Sequence, residues 1–285
     1  MHLLTLQTVL VATDLDSTSA AAIETGRRLA EAAGAALHVV HVSRDAPSSA
    51  VRDAVESFVR ASGISPSARH LHLLDGDPAH SIRLLADRIR ADVIVLGPHR
   101  ERRETERGAP LGSTALAIVT DSFAPCLVAS TPLRVPLERV LVAVDLSDTA
   151  RGALVVGLAW ASALRTPPTT SSDGAKATML VLHVGREAGD RAAALDRELE
   201  RIRGDAGGWA NVLIEAITAS GDDPAPTIAD SAASRGADLI VLGTRGLGLD
   251  RTGRLGSVSA AVVRQAGVPV LLVPPAVWLS HSPSA

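Results

Sequence analysis

Short runs that are apolar at every position recur along the chain, separated by longer alanine- and leucine-rich segments. Examples are residues 93–96, 239–242 and 270–273. Continuous apolar runs of this length are typical of parallel strands that are covered by helices on both faces. The pattern of alternating strands and helices therefore predicts an α/β fold with a parallel sheet and right-handed crossovers.

The helices that follow the first strand of each half have recognisable start signals. We expect them near residues 18–33 and 148–163, where alanine and leucine dominate. Ser17 and Ser147 precede these segments, and a serine hydroxyl at that position can accept a hydrogen bond from an N–H group of the first turn.

The two halves of the chain repeat the same pattern in the same order. Such a repeat indicates a tandem duplication, in which each half forms its own doubly wound, five-stranded parallel sheet of the Rossmann-like type. The matching segments are 9–17 with 140–148, 37–42 with 180–184, 76–79 with 221–225, 91–97 with 237–243, 111–113 with 255–257, and 124–128 with 268–273.

The duplication sets the domain boundaries. We expect a first domain over 1–132 and a second over 137–276, which agrees with a chain of 285 residues at about 100–200 residues per domain. Residues 131–136 connect them and are too few for independent tumbling, so the halves should pack together. The segment 166–176, rich in Pro, Thr, Ser and Gly, is predicted to be a surface insertion.

Composition and charge exclude several classes of function. A net charge of −3 provides no bulk attraction to nucleic acid or to an anionic membrane. No apolar stretch approaches the roughly 20 residues that a membrane-spanning helix needs. The lone cysteine, Cys126, cannot form an intrachain disulfide and lies in an apolar run, so we expect a small buried side chain in a cytoplasmic protein.

A glycine-containing loop in the second half carries the candidate chemistry. Gly243 and Gly246 follow an apolar strand, and nine residues separate Gly246 from Gly256 and Ser257 at the start of the next helix. Glycines allow left-handed backbone and close approach of N–H groups to an anion, and a helix N-terminus favours negative charge. We therefore expect a phosphate cradle at the carboxyl edge of the sheet, with Asp145 across the crevice as an acceptor for a base or ribose hydroxyl.

This combination of motifs resembles the universal stress protein family, specifically its tandem-domain members, over almost the whole chain. The loop is similar to the family's ATP-binding motif, and the resemblance implies a fold like that of the adenine nucleotide alpha-hydrolases. It implies ATP as the ligand. If Mg²⁺ accompanies ATP, it would have to rely on phosphate oxygens, water and Asp145. The residues implied to surround the nucleotide are Ala143, Val144, Asp145 and Val184 on the base side, and Leu242, Gly243, Arg245, Gly246, Gly256, Ser257 and Val258 around the ribose and phosphates.

The first half departs from the motif. Arg100 stands at the position of the second glycine, and eleven residues rather than nine precede Gly112. A side chain there disfavours left-handed backbone, and the longer loop displaces the cradle. The charged run 100–107 is either a solvated loop or an arginine clamp for phosphate. Nucleotide binding in this half is expected to be weaker, although it retains the residues Asp14, Gly97, Gly112 and Ser113.

The resemblance also implies how the halves assemble. The last strands, predicted at 126–130 and 269–273, would pair antiparallel across a two-fold axis, which makes the chain an internal pseudo-dimer. Any homodimer would then use another surface. A proline at Leu271 would remove a ladder donor from the middle of the last strand, and it is expected to loosen the two halves if this pairing holds them together.

Other candidate sites and functions are weaker. His70 and His72 share one strand face and could bind zinc, but a polar strand face is the simpler interpretation. His41 and His183, at equivalent strand ends, are interpreted as packed, hydrogen-bonded side chains. The sequence supports ATP binding in a stress-response regulator, but it offers no general base for hydrolysis beside the loop. The alternatives are a nucleotide-free scaffold for dimerisation and a nucleotide-hydrolysing or adenylate-forming enzyme, which would need a histidine or lysine signature.

Overall fold

The structure is a computed structural model that describes residues 6–16, 19–65, 70–98, 111–165, 176–185, 189–205, 211–245 and 255–275. Both halves alternate strands and helices. In the first half the elements are β1 Thr8–Ala12, α1 Ala20–Ala33, β2 Ala36–Ser43, α2 Ser49–Ala61, β3 Leu71–Asp75, α3 Pro78–Ile89, β4 Val93–Leu96, α4 Ser113–Asp121 and β5 Cys126–Val128. In the second half they are β6 Arg139–Ala143, α5 Asp148–Ala163, β7 Ala177–Gly185, α6 Gly189–Asp205, β8 Val212–Ser220, α7 Pro224–Ser234, β9 Leu239–Gly243, α8 Ser257–Gln265 and β10 Val270–Val273.

All ten strands belong to one sheet with the order β3-β2-β1-β4-β5-β10-β9-β6-β7-β8. Each half contributes five parallel strands with the first strand in the middle, which is the doubly wound arrangement. The halves meet where β5 and β10 pair antiparallel. The predicted fold class is therefore confirmed, including the pairing of the last strands within the chain.

The seam between the halves is the antiparallel pair β5 and β10, in which Leu272 lies opposite Cys126 and Val270 opposite Val128. The carbonyl groups of Pro269 and Val273 accept hydrogen bonds from β9. Because the direction of backbone groups alternates along a strand, the N–H of Leu271 also faces β9, and those of Val270 and Leu272 face the seam. A proline at Leu271 would therefore remove a ladder donor to β9, so Leu272 is the residue that tests the seam.

Two apolar layers cover the sheet, one on each face. In β1, Val9 and Val11 belong to one layer and Leu10 to the other, and β6 repeats this division. Burial on both faces explains why the strand sequences show no alternation of polar and apolar residues. Cys126 is buried in the second layer, where burial raises the pKa of its thiol to about 12, as expected for a packed side chain rather than a nucleophile.

Glycines bring one helix of each half close to the first strand. A Cβ atom on Gly157 of α5 would lie 2.6 Å from Val142 Cγ2, and one on Gly26 of α1 would collide with Val11 Cγ2. Both atoms would be closer than van der Waals contact, so these positions need glycine for space.

Aspartates in the repeated Ala-Asp segments anchor the first strands. The Asp92 carboxylate accepts hydrogen bonds from the N–H groups of Gln7 and Thr8, at 2.7 and 2.8 Å. Asp238 does the same for Glu138 and Arg139. These bonds satisfy backbone donors that precede the sheet ladder, so the repeated aspartate has a structural role.

The expected helices are present, and α5 starts as predicted, with Ser147 Oγ accepting a hydrogen bond from the N–H of Ala150 at 3.3 Å. Helix α1 begins at Ala20, and the predicted cap Ser17 lies outside the described residues. The predicted insertion also lies outside them, except for Lys176. In the described part of the chain, no helix combines the length and the apolar character that crossing a membrane requires.

The connection between the halves is attached to helix α1. The N–H of Leu133 donates to Thr25 Oγ1 at 3.0 Å, and its carbonyl accepts a hydrogen bond from Arg28 at 3.0 Å. Leu133 is fully buried. The connection is therefore part of the packed structure and not a free tether.

The seam yields a first prediction. Leu272→Pro removes a donor that faces β5, so the halves should separate, giving two unfolding transitions and faster proteolysis at 131–136. The control Leu272→Ala keeps the donor and should cost about 2–5 kcal/mol of stability while unfolding remains a single transition. Calorimetry with limited proteolysis measures both. A single transition for the proline variant would show that the seam does not hold the halves together.

Candidate functional site

A cavity of about 540 Å³ opens at the carboxyl ends of β6 and β9, a volume within the usual range for small-molecule sites of about 300–1,000 Å³. These two strands are neighbours in the sheet. The cavity lining includes ten of the eleven residues predicted for the second half, namely Ala143, Val144, Asp145, Val184, Leu242, Gly243, Arg245, Gly256, Ser257 and Val258. The eleventh, Gly246, lies outside the described residues.

Gly256 is needed at the cavity for space rather than for left-handed backbone. Neither Gly243 nor Gly256 has a positive φ, which corrects the expected role of Gly243. The N–H of Gly256 donates to the Thr244 carbonyl at 2.9 Å, and a Cβ on Gly256 would lie 3.3 Å from the same oxygen. A side chain at this position would therefore press against the end of β9.

Helix α8 points its N-terminus at the cavity. Its first intrahelical bond runs from the N–H of Ala260 to the carbonyl of Gly256, so the N–H groups of Ser257 and Val258 have no intrahelical acceptor. Ser259 Oγ donates to the Gly243 carbonyl at 2.8 Å. Together with the bond from Gly256 to Thr244, this bond fixes the helix end to the strand end, which holds several donors ready for an anion.

Asp145 is held by the cap of helix α5. Its Oδ1 atom accepts hydrogen bonds from the N–H of Ser147 at 3.0 Å and from Ser147 Oγ at 2.5 Å. Leu146 between them has a φ of 64°, a left-handed conformation that is unfavourable for a leucine. Backbone strain of this kind is found at functional sites, and here it occurs beside the carboxylate that lines the cavity.

His183, on the neighbouring strand β7, contacts the backbone directly after β6 at the same edge of the sheet. Its Nδ1 atom lies 2.9 Å from the carbonyl oxygen of Val144. Since a carbonyl only accepts, Nδ1 carries the proton. In the first half His41 makes the same contact with Thr13 at 2.9 Å. The interpretation of these histidines as packed, hydrogen-bonded side chains agrees with this geometry.

Six further residues line the cavity that the sequence analysis did not select. Patterns in the sequence could have found some of them: Leu182 lies two residues before Val184 on the same strand, and Ile228 lies four residues after Pro224 on α7. Leu182 and Ile228 make one wall of the cavity apolar. The full set is Ala150, Leu182, Pro224, Ile228, Leu255 and Ser259.

Both halves of the chain match the same protein family. The sequence profile of the universal stress protein family matches residues 5–130 and again residues 136–274. The chain belongs to the universal stress protein family.

Individual relatives agree with this membership. A universal stress protein encoded in the QAH/OAS sulfhydrylase 3′ region of Thermus aquaticus is 38% identical over 145 residues, which is 48% of this chain and 98% of that protein. A universal stress protein structure from Archaeoglobus fulgidus matches 95% of this chain and 98% of its own, with a TM-score of 0.63 and 22% identity. A putative universal stress protein from Pseudomonas aeruginosa covers 99% and 98%, with a TM-score of 0.64 and 17% identity. The two structures support the fold.

The first universal stress protein domain places its candidate residues at the equivalent edge. Asp14 follows β1, Gly97 follows the neighbouring strand β4, and Gly112 precedes α4, which begins at Ser113. Asp14 Oδ1 accepts hydrogen bonds from the N–H of Asp16 and from Ser19 Oγ. Arg100 and the charged run 100–107 lie outside the described residues.

Ser259 provides a prediction for this site. Ser259→Ala should lower stability by about 1 kcal/mol, because the Gly243 carbonyl loses its side-chain donor. It should also speed amide exchange of Gly256 and Ala260, whose N–H groups donate to the carbonyls of Thr244 and Gly256. Ser122→Ala is the matched control, since Ser122 Oγ donates to the Ala124 carbonyl at 3.0 Å away from the cavity. Equal exchange of Gly256 and Ala260 in both variants would show that Ser259 does not fix the helix end.

Proposed function

We propose that the second domain binds ATP in the cavity between β6, β9 and α8. The observation that carries this proposal is the combination of an apolar wall with a helix N-terminus in one cavity. A purine base needs an apolar slot with a few polar groups, whereas phosphates need N–H donors and positive charge. The two ends of this cavity offer these two environments.

The base and ribose would lie against the end of β6. Ala143, Val144 and Val184 supply apolar surface, and the Asp145 carboxylate, oriented by Ser147, accepts hydrogen bonds from a base amine or a ribose hydroxyl. Among the described residues that line the cavity, Asp145 is the one with a carboxylate.

The phosphates would lie at the other end of the cavity. Donors there include the N–H groups of Ser257 and Val258 and the side chains of Ser257 and Arg245. Leu242, Gly243 and Gly256 line this end of the cavity, and the two glycines leave room for phosphate beside the main chain. Gly246 belongs to the same proposed cradle. If Mg²⁺ accompanies ATP, phosphate oxygens and water supply most of its ligands, with Asp145 as the available carboxylate.

Binding should be stronger in the second domain than in the first. At the position of Ser147 the first domain has Asp16, a second carboxylate close to Asp14, and at the position of Ser259 it has Ala115. Alanine cannot form the hydrogen bond through which Ser259 fixes the helix end, and aspartate cannot replace the hydroxyl that Ser147 donates to Asp145. These differences add to Arg100 and the longer loop.

The bound nucleotide would act as a regulatory ligand in a cytoplasmic stress response. Binding residues 143–145 and 256–258 at once connects the ends of β6 and α8, so occupancy would stiffen this edge and change the surface offered to a protein partner. We assign no nucleic-acid or membrane partner to this role.

A second candidate function is a nucleotide-free scaffold. The seam favours it, because β5 and β10 already bury the edges through which single domains could pair. A chain with this internal pseudo-dimer can present two domain surfaces in a fixed orientation without a ligand. A further homodimer would then use a different surface.

Mass spectrometry of nucleotide released from the purified, denatured protein separates the two functions. We expect ATP or AMP from the wild-type chain, and calorimetry should show that Gly256→Val abolishes added ATP binding, because its side chain crowds the Thr244 carbonyl. The matched control is Gly112→Val, at the equivalent position of the first domain, which should retain binding. Thermal unfolding checks that both variants are folded. An empty wild-type protein with no measurable ATP binding would support the scaffold.

The asymmetry is tested by stoichiometry. We expect about one tightly bound ATP per chain, and Asp145→Asn should weaken it at least about tenfold, since a charge-assisted hydrogen bond contributes about 1.5–3 kcal/mol. Asp14→Asn should leave the affinity within about twofold of wild type by the same reasoning. Two equal sites per chain, or equal losses from both variants, would contradict the proposed asymmetry.

A further inference from the structure

Three histidines meet on one face of the sheet in the first domain. His38 lies on β2, His72 on β3 and His70 directly before β3. The Nδ1 atom of His38 is 2.9 Å from the Nε2 atom of His72, and their rings stack at 5.2 Å with an angle of 12°. The His70 ring centroid is 4.6 Å from that of His38. We call these three residues the histidine clasp.

His38 joins the pair His70 and His72 through the register of two neighbouring strands. The parallel pairing of β2 with β3 places Val40 opposite His72, so His38, two residues earlier, lies on the same face opposite His70. Among the described residues, no group of three histidine, cysteine or acidic side chains has an arrangement that could hold a metal ion. The clasp is therefore best explained by its hydrogen bond and ring contacts.

A hydrogen bond between two imidazoles depends on their protonation. One ring must donate and the other must accept through an unprotonated nitrogen, so the pair of His38 and His72 needs at least one neutral ring. When both rings are protonated, each nitrogen is a donor and the two positive charges repel. The bond seen here is consequently compatible with neutral pH and lost when both rings carry a proton.

The surroundings of the clasp do not stabilise positive charge. The charged or titratable groups that act on His38 are the other two imidazoles of the clasp, and those that act on His72 are the guanidinium of Arg88 on α3 and the imidazole of His70. Among the described residues, no carboxylate forms an ion pair or a hydrogen bond with the three rings. Protonation would therefore gather like charges on a half-buried surface.

The position of the clasp gives it a structural consequence. Among the described strands, β3 is the outermost of the first domain and pairs with β2 alone. The clasp joins these two strands through side chains. The second domain has Leu180, Glu215 and Ile217 at the corresponding register positions of β7 and β8, so its outer strand lacks such a contact.

We propose that the histidine clasp is a proton-sensitive device that holds edge strand β3 against β2 at neutral pH and releases it in mildly acidic solution. It is independent of the nucleotide site of the second domain. Release would expose the edge of β2 in one domain only.

The direction of the effect follows from linkage. Burial, followed by the charges of His70 and His72, lowers the pKa of His38 from 6.5 to about 4, and burial also lowers the pKa of His72. The released strand therefore takes up protons at a higher pH than the held strand. Above pH 6.5 the clasp holds β3 fully. Below pH 6.5, each histidine whose pKa is lowered shifts the equilibrium between the held and the released strand towards release by up to about tenfold per pH unit.

Amide hydrogen exchange tests the proposal on the intact chain. After correction for the intrinsic exchange rate, protection of residues 71–75 should fall at least about tenfold between about pH 7.5 and about pH 5 relative to residues 212–220 of the second domain. Equal changes in the two edge strands would overturn the proposal.

A double variant supplies the matched control. His38→Leu with His72→Ile copies the residues of the second domain, and it should remove the extra pH dependence of 71–75. Retention of that dependence would overturn the proposal. If the variant does not fold, an NMR titration of the wild-type imidazoles decides: His38 should titrate below about pH 5, and titration near its ordinary value of about 6.5 would contradict the clasp.

Discussion

The antiparallel pairing of β5 with β10 is the constraint on which the rest of the structure depends. Each half has five parallel strands whose last strand would otherwise be an exposed edge, and exposed edges invite uncontrolled pairing. Joining the two last strands converts two small sheets into one of ten strands. All strands of one half run opposite to those of the other. The carboxyl ends of the two halves, and the two candidate sites at these ends, therefore lie at opposite ends of the strands of the common sheet.

Much of this arrangement can be predicted from the sequence because it depends on short segments whose burial and repetition are visible there. Apolar runs such as 239–242 must be buried on both faces, and repeated segments such as the one that contains Asp238 must fold alike in both halves. The candidate site follows from the same logic, since strand ends and a glycine before a helix converge at one edge of a parallel sheet. That is why ten of the predicted residues line one cavity.

The features that sequence reasoning missed depend on contacts between distant segments or on unusual backbone. The direction of the Leu271 N–H follows from which neighbour β10 uses for each hydrogen bond, and a single strand does not reveal this. The left-handed Leu146 contradicts the preference of its residue type. The pairing of His38 with His72 needs the register of two strands separated by a whole helix. Each of these depends on tertiary structure, which overrides local preference.

The connecting segment, attached to α1 through Leu133, joins the two domains in one chain, and this affects how their sequences can diverge. A seam between separate molecules weakens on dilution, whereas this one is intramolecular and does not depend on protein concentration. In a symmetric homodimer every substitution is present twice, once in each site. Covalent linkage removes that symmetry, so the two domains can diverge at equivalent positions, as they have where the second has Ser147 and Ser259 and the first has Asp16 and Ala115.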